Sequence, residues 1–289
     1  MKVAVHAPAK INLALDILGK REDGYHLVEM VMQAVDLYDT VIVSEENHQQ
    51  IEIVSDYLFD VEDSCNTAYR AADVFFLHLG IQNPGIKIKI KKRIPVAAGL
   101  AGGSTDAAAV LLALDHLFGT NCSRPELTEM GEKIGSDVPF CLFGGTMKAE
   151  GTGTILTPIE NLPECYFVLA KPPISVSTKE AYAKADGTSF VDTMGITQMV
   201  DAIYSGELKN ISEAMFNRFE EVMKLEEVSM IKEKMKEQGA LQACMSGSGS
   251  TVFGVFSDCF KAESCAHKLK HCYHDVFVCR PVSHGCVIL

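Results

Sequence analysis

The segment that decides the fold reads Ile86-Lys-Ile-Lys-Ile90, then Pro95-Val-Ala-Ala-Gly99-Leu-Ala-Gly102-Gly103-Ser104-Thr105-Asp106, then Ala107-Ala-Ala-Val-Leu-Leu-Ala-Leu-Asp-His-Leu117. The first part alternates apolar and charged residues, which predicts a strand. The third part contains strong helix formers and no breaker, which predicts a helix. Glycines between them let backbone amides crowd around an anion that the helix N-terminus attracts. The pattern predicts a phosphate-binding loop, with a tight packing turn as the alternative.

The loop differs from the two commonest nucleotide-binding glycine motifs. No Lys-Ser or Lys-Thr pair follows the last glycine, which excludes a Walker A loop. The glycine spacing also departs from Gly-x-Gly-x-x-Gly, so a Rossmann dinucleotide site has little support.

Composition limits the classes of protein that fit this chain. It has 289 residues, 47% hydrophobic residues and 22% charged residues, which is typical of a globular protein of one large or two ordinary domains. The formal net charge is −12, which disfavours binding to nucleic acid because such a surface repels phosphates. The basic run from Lys87 to Arg93 is interpreted as a strand with one solvated face. Neither a signal peptide nor a membrane-spanning stretch is visible, so we expect a cytoplasmic protein with no membrane partner.

The chain has ten cysteines and none of them forms a Cys-x-x-Cys pair. Buried reduced thiols are the default interpretation for a long chain without a secretory signal. The group His267, His271, Cys272 and His274 has no common zinc spacing, so no dedicated metal site is expected. The C-terminal Cys286-Val-Ile-Leu289 matches a prenylation box in form, which we interpret as a chance match.

The order of predicted elements indicates an α+β protein of two domains. Strands and helices do not alternate regularly, which disfavours a doubly wound sheet. The prolines from Pro158 to Pro163 suggest a junction between residues 1–157 and residues 158–289. After the junction we predict, among other elements, one helix over Ile211–Met223. The first part of the chain reads as five strands: Val3–His6, Ile11–Leu18, Tyr25–Asp36, Thr40–Ser44 and Gln50–Val54.

Two short segments in the N-terminal strands carry candidate binding groups. Lys10 and Asn12 alternate on one predicted strand, so both side chains point to the same side and can meet one ligand. Taken alone, an exposed strand face is the favoured interpretation. Tyr25 and His26 follow a predicted turn and can stack on a heterocycle and bond its edge. A hairpin turn with two amphipathic residues is the alternative.

Two further segments combine glycine with polar groups. Asp137 lies in Gly135-Ser136-Asp137-Val138-Pro139, ahead of an apolar run, and is either a helix N-cap or a general base that needs a nearby cation such as Lys10. The stretch Ser246-Gly247-Ser248-Gly249 lies between two apolar strands and suits close backbone approach or a second anion-contacting loop. A flexible linker is the alternative.

The segments together carry a family resemblance. Pro8-Ala-Lys10-x-Asn12, Pro95-x-x-x-Gly99-Leu-Ala-Gly-Gly-Ser104 and Ser246-Gly-Ser-Gly249 resemble, in order and spacing, the three motifs of the galactokinase, homoserine kinase, mevalonate kinase and phosphomevalonate kinase (GHMP) superfamily. The resemblance covers nearly the whole chain, from Pro8 to about Phe256. Ala101 and Ser250 depart from the family, which usually has glycine and proline there.

The resemblance implies a fold, a reaction and a set of site residues. The expected fold has a ribosomal-protein-S5-like N-terminal domain and a smaller α+β C-terminal domain, with the substrates in the cleft between them. Lys10 and Asp137 are the expected catalytic pair. The expected acceptor site contains Asn12, Tyr25, His26, Thr178 and Tyr182. The residues expected to bind ATP are Asn66, Pro95, Val96, Ala97, Ala98, Gly99, Leu100, Ala101, Gly102, Gly103, Ser104 and Thr105.

The same resemblance implies the ligands. Three further stretches narrow the resemblance to one kinase of the superfamily: Gly24-Tyr25-His26, Gly135-Ser-Asp137-Val-Pro139-Phe and Gly144-Gly-Thr-x-x-Ala-Glu-Gly151. The substrates that it implies are ATP and a cytidine-diphosphate-linked methylerythritol. Mg²⁺ is expected to arrive with ATP and to be held by its phosphates and Ser104. Two rivals stay open: a related kinase with a mevalonate-like or homoserine-like acceptor, and a non-enzymatic nucleotide- or RNA-binding relative of the S5-like fold. The sequence leaves the oligomeric state undecided between a monomer and a weak dimer.

Overall fold

The computed structural model describes residues 1–57, 63–188 and 195–289, which form two β-sheets with helices packed on them. The strands are β1 (Lys2–Lys20), β2 (His26–Glu45), β3 (Ile51–Ser55), β4 (Ile86–Lys91), β5 (Thr146–Glu150), β6 (Ile155–Pro158), β7 (Tyr166–Lys171), β8 (Phe216–Asn217), β9 (Gln242–Met245), β10 (Val252–Phe256), β11 (Asp275–Cys279) and β12 (Val287–Ile288). The helices are α1 (Thr67–Leu79), α2 (Gly102–Phe118), α3 (Arg124–Ile134), α4 (Val138–Phe143), α5 (Thr178–Ala185), α6 (Ile196–Tyr204), α7 (Leu208–Glu213), α8 (Arg218–Met223), α9 (Glu226–Glu237) and α10 (Cys259–Leu269).

β1 and β2 form one long antiparallel hairpin. Four of the five predicted N-terminal strands belong to it, so the prediction that they are separate strands was wrong. The pairing continues through register shifts at Pro8/Ala9, Asn12/Ala14 and Ile17/Gly19. A bulge accommodates Pro8, which has no N–H to donate, without ending the strand.

The first sheet collects strands from distant parts of the chain. Its order is β12-β1-β2-β4-β3, and β5 also pairs with β2 and β6 with β5. β8 runs parallel to β1 through the pairs Ala14–Phe216 and Leu15–Asn217. Segments after the proposed junction therefore complete the N-terminal sheet. The division into residues 1–157 and 158–289 stays a prediction.

α2 packs on this sheet through small side chains. Ala107, Ala108 and Ala109 are fully buried in the same core cluster as Phe75 of α1. Their small volume allows close approach of the helix to its neighbours. The helix begins at Gly102, earlier than the alanine run suggests, so the last two glycines of the loop belong to its first turn.

The second sheet has the order β11-β7-β10-β9 and is antiparallel throughout. The single helix predicted over Ile211–Met223 is interrupted by β8, so that prediction was wrong. Phe216 and Asn217 pair with β1, and the Asn217 side chain then accepts a hydrogen bond from Phe219 N as the N-cap of α8. A tertiary contact therefore overrides the helical pattern. Within residues 1–57, 63–188 and 195–289, no helix is long and apolar enough to span a bilayer.

Candidate active site

One cavity of about 640 Å³ brings the sequence motifs together. Its walls include the first glycine loop (residues 95–105), the second glycine loop (residues 246–251), Lys10 of β1, Asp137 and α5. Asn66, the N-cap of α1, also lines it. Segments from both sheets contribute, so the cavity exists only in the folded chain.

The first glycine loop places the start of α2 at the cavity wall. Gly99 and the two non-glycine residues Ala97 and Ala101 adopt left-handed backbone conformations, with φ of 74°, 51° and 58°. The backbone N–H groups of a helix's first turn lack partners within the helix and attract anions. Of the eleven loop residues expected at the ATP site, all line the cavity except Leu100 and Thr105, which are buried behind it.

The second glycine loop is bonded directly to the first. The Ser246 hydroxyl donates to Gly99 O at 2.9 Å, and Thr251 N donates to Ala98 O at 3.2 Å. A Cβ at Gly99 would lie 2.0 Å from the Ser246 carbonyl oxygen, so the close contact between the two loops requires glycine at this position. The flexible-linker interpretation of the second loop is therefore wrong.

Lys10, Asn12 and Asp137 form a polar group in the cavity wall. The Lys10 ammonium donates to Asn12 Oδ1 at 2.7 Å and lies 3.5 Å from Asp137 Oδ2. Asp137 occupies the N-cap position of α4, yet its side chain makes no capping hydrogen bond. Lys10 and Asp137 line the cavity, whereas Asn12 is fully buried behind Lys10. In this arrangement Asn12 orients the ammonium.

The residues expected at the cytidine end are divided between the cavity and the surface. Thr178 and Tyr182 line the cavity, and the Thr178 hydroxyl lies 3.1 Å from that of Ser248. Burial, with a smaller effect of the Asp137 charge, raises the pKa of the Tyr182 hydroxyl to about 12. His26 stacks on Tyr182, with ring centroids 4.3 Å apart. Tyr25 is 67% exposed at the hairpin turn and does not line the cavity.

A buried charge cluster beside the first glycine loop was not predicted from the sequence. The Lys92 ammonium bonds to both Asp39 and Asp106, and Lys92 and Asp106 line the cavity. Interpreting the whole Lys87–Arg93 run as a solvated face was wrong for Lys92, which lies just beyond β4 with its side chain 6% exposed. Burial raises the pKa of the Asp106 carboxyl to about 7, although the Lys92 ammonium lowers it. Sequence alternation gives no signal for this cluster.

Asn217 is another residue of the site that was not predicted from the sequence. Its side-chain amide donates to Met245 O at 2.7 Å and to Gly247 O at 2.8 Å, so it holds the second glycine loop from both sides of Ser246. The short strand β8 places it there. In the part of the chain that the structure describes, no group of three or more His, Cys, Asp or Glu residues could hold a metal ion.

Comparison with known proteins identifies the class. The GHMP kinases N terminal domain matches residues 66–145, and the GHMP kinases C terminal family matches residues 199–275. A solved homoserine kinase from Cytophaga hutchinsonii shares the fold at 20% identity, with a TM-score of 0.76 over 100% of this chain and 97% of that chain. The fold, the glycine loops and both matches define a GHMP kinase.

Closer relatives narrow the class. A 4-diphosphocytidyl-2-C-methyl-D-erythritol kinase from Alkaliphilus oremlandii (strain OhILAs) is 44% identical over 287 residues, which cover 98% of each chain. One from Clostridium perfringens (strain 13 / Type A) is 44% identical over 96% of this chain and 97% of its own. A crystal structure of 4-(cytidine 5'-diphospho)-2C-methyl-D-erythritol kinase matches at 31% identity and a TM-score of 0.81, covering 97% and 99% of the two chains. The chain belongs to the 4-diphosphocytidyl-2-C-methyl-D-erythritol kinase family.

Proposed function

We propose that this protein transfers the γ-phosphoryl group of ATP to the 2-hydroxyl of 4-diphosphocytidyl-2-C-methyl-D-erythritol, a step of non-mevalonate isoprenoid biosynthesis. The observation that carries the proposal is the Lys10–Asp137 pair, 3.5 Å apart, in one cavity with the first glycine loop. A base beside a phosphate cradle is the arrangement that transfer to an alcohol requires. The names of the relatives supply the acceptor.

Asp137 is the proposed general base. The acceptor is a tertiary alcohol, which is crowded and weakly acidic, so removal of its proton assists attack. The hydroxyl O–H bond breaks as its proton passes to Asp137, the oxygen bonds to the γ-phosphorus, and the bond from that phosphorus to the departing ADP oxygen breaks. Positioned proton transfer of this kind contributes about 10²–10⁴ in rate.

Lys10 is proposed to keep Asp137 ionised and to orient the hydroxyl. Its ammonium is nearly buried, and Asn12 Oδ1 accepts one of its hydrogen bonds at 2.7 Å. The ammonium and the Asp137 carboxylate, 3.5 Å apart, attract each other. The remaining donors of the ammonium are available to the acceptor oxygen.

ATP is proposed to bind along the first glycine loop, with its phosphates at the start of α2 and its base near Asn66. The Ser104 hydroxyl fits a metal that arrives with the nucleotide, because it lines the cavity and hydrogen-bonds to none of the described residues. Mg²⁺ commonly takes few protein ligands beside phosphate oxygens, and there it neutralises charge during transfer.

The cytidylyl end is proposed to lie at Thr178, Tyr182 and His26, with Tyr25 moving from the hairpin turn to cover the base. Stacking of an aromatic ring on a base supplies affinity, while hydrogen bonds to its edge supply specificity. We further propose that the protein acts in the cytoplasm without a nucleic-acid or membrane partner. The acidic net charge supports that part of the proposal.

The test is an ADP-release assay with ATP, Mg²⁺ and three acceptors: the cytidylyl methylerythritol, mevalonate and homoserine. We expect turnover with the first alone, and a new phosphomonoester resonance in the ³¹P NMR spectrum that couples to no proton at the attached carbon. Turnover with mevalonate or homoserine instead would overturn the assignment of the acceptor. Lack of ADP release with all three would overturn kinase activity.

A further inference from the structure

His26 is held by a carboxylate that the catalytic proposal does not use. Its Nε2 lies 2.6 Å from Asp186 Oδ1, at the C-terminal end of α5. The other oxygen, Asp186 Oδ2, accepts a hydrogen bond from the Lys20 ammonium at 2.5 Å. Stacking on Tyr182 fixes the plane of the imidazole, whose side chain is 9% exposed. Two contacts therefore fix the position and orientation of this ring, and Lys20 in turn holds Asp186.

The pairing decides which ring nitrogen of neutral His26 carries the proton. An ionised carboxylate only accepts hydrogen bonds, so Nε2 must donate and Nδ1 must keep its lone pair. Hydrogen bonds from Lys20 and then His26 lower the pKa of Asp186, which keeps it ionised. Among the residues that the structure describes, Nδ1 has no hydrogen-bond partner and is not fully buried. In its neutral form the ring therefore presents a hydrogen-bond acceptor at Nδ1.

We propose that Asp186 is a positioning residue that sets the base preference of the cytidylyl site, an inference that rests on the proposed function. An unprotonated Nδ1 accepts a hydrogen bond from the 4-amino group of cytosine. Uracil presents a 4-carbonyl oxygen at the same place, and two acceptors that face each other leave both unpaired. A mispaired hydrogen bond at a largely buried group reduces affinity by about 10- to 100-fold.

Lys20 determines which way the side-chain amide would face in Asp186→Asn, because its ammonium bonds to one of the two Asp186 oxygens. In Asp186→Asn, the amide oxygen pairs with the Lys20 ammonium, because an ammonium only donates. The amide NH₂ then faces His26 Nε2, which becomes the acceptor, and the ring proton moves to Nδ1. The variant presents a donor, which suits uracil rather than cytosine. Loss of the hydrogen bond alone would lower the affinity for both bases. A change of tautomer would instead reverse which base binds more tightly.

The experiment measures the affinities of CDP and UDP by calorimetry for the wild type and for Asp186→Asn. We expect the wild type to favour CDP by about 10- to 100-fold and the variant to lose or reverse that ratio. Nitrogen-15 NMR of the His26 ring reports the tautomer directly. Glu180→Gln is the matched control, because Glu180 is an exposed carboxylate of α5 paired with Lys184, and it should keep the wild-type ratio.

The measured affinities test the role of Asp186 separately from the proposed function. An unchanged ratio in Asp186→Asn, or an equal loss of affinity for both nucleotides, overturns the role of Asp186. A wild type that binds CDP and UDP equally overturns it as well. If the wild type prefers CDP but fails to phosphorylate the cytidylyl methylerythritol, the proposed function falls while the base preference stands. His26→Ala should abolish the preference and leave the KM for ATP within about twofold, because His26 lies outside the ATP end.

Discussion

Asp137 Oδ2 lies 3.5 Å from Lys10 Nζ, and the two side chains differ in exposure. The Lys10 side chain is 5% exposed and that of Asp137 is 28% exposed. The ammonium is therefore the sheltered member of the pair, and the carboxylate is the member that an incoming hydroxyl can reach. This asymmetry suits a base supported from behind by a cation.

Asp137→Asn should reduce kcat by about 10²–10⁴, because an amide cannot accept the proton of the acceptor hydroxyl. Binding of ATP should change little, which equilibrium dialysis with a non-hydrolysable analogue can check. Asp201→Asn, an exposed carboxyl on α6, is the control and should keep wild-type kinetics. Wild-type turnover in Asp137→Asn would remove the base assignment.

Gly99→Ala should damage the site far more than Gly80→Ala. Both glycines have left-handed backbones, with φ of 74° and 65°, so both variants carry a strain of about 1 kcal/mol. A Cβ at Gly80 meets no atom within 4 Å, whereas a Cβ at Gly99 would lie 2.0 Å from the Ser246 carbonyl oxygen. We expect weaker ATP binding and a larger loss of unfolding free energy in Gly99→Ala, measured by urea denaturation. Equal losses in both variants would contradict the loop contact.

Asn217→Ala should destabilise the second glycine loop. It removes two donors and leaves Met245 O and Gly247 O without them, which costs about 2–4 kcal/mol of unfolding free energy. The KM for ATP should rise because the second loop holds the first through Ser246. Asn210→Ala, which removes a bond between exposed side chains, should cost less than about 1 kcal/mol. Unchanged thermal stability in Asn217→Ala would refute the clamp.

Asp106→Asn should change the pH dependence of stability. The folded pKa of about 7 lies above the ordinary value of 3.8, so the folded state binds more protons than the unfolded state between these values. The Asp106 contribution is therefore fully present below about pH 4 and is lost as the pH rises through 7, with an upper bound of about 4 kcal/mol.

The comparison to make is the unfolding free energy of the wild type and Asp106→Asn across pH 4–8. An amide at this position does not titrate, so the slope of the difference between the two curves is the informative quantity. We expect the difference to move in favour of the variant as the pH rises. Parallel curves would show that Asp106 titrates below this range.

Local elements were predictable where they depend on neighbouring residues. β4 (Ile86–Lys91) and α2 (Gly102–Phe118) lie where the alternation and the alanine run predict them, and Ser123 caps α3 through the capping box with Glu126. Such signals act within one turn of helix. The region after Ile211 was not predictable in this way, because β8 interrupts a helical pattern in order to pair with β1.

The burial of charged side chains was also not predictable from the sequence. Lys92 continues an alternating basic run, yet its ammonium bonds to Asp39 and Asp106. Whether a charged residue is solvated or paired depends on which distant groups fold against it. The resemblance identified Asp137 as a candidate base, whereas the lack of a capping bond at Asp137 is visible only in the structure.

The sequence alone determined the strand–loop–helix around Gly99 and the family. It also excluded a Walker A loop and gave little support to a Rossmann site. These depend on residue types at fixed spacing, which the chain carries before it folds. Only the tertiary structure decided that Lys92 pairs with Asp39 and Asp106, that Asn217 clamps the second loop, and that Asp186 holds His26. Hydrogen bonds between residues far apart in sequence form only when packing brings both partners within about 3 Å.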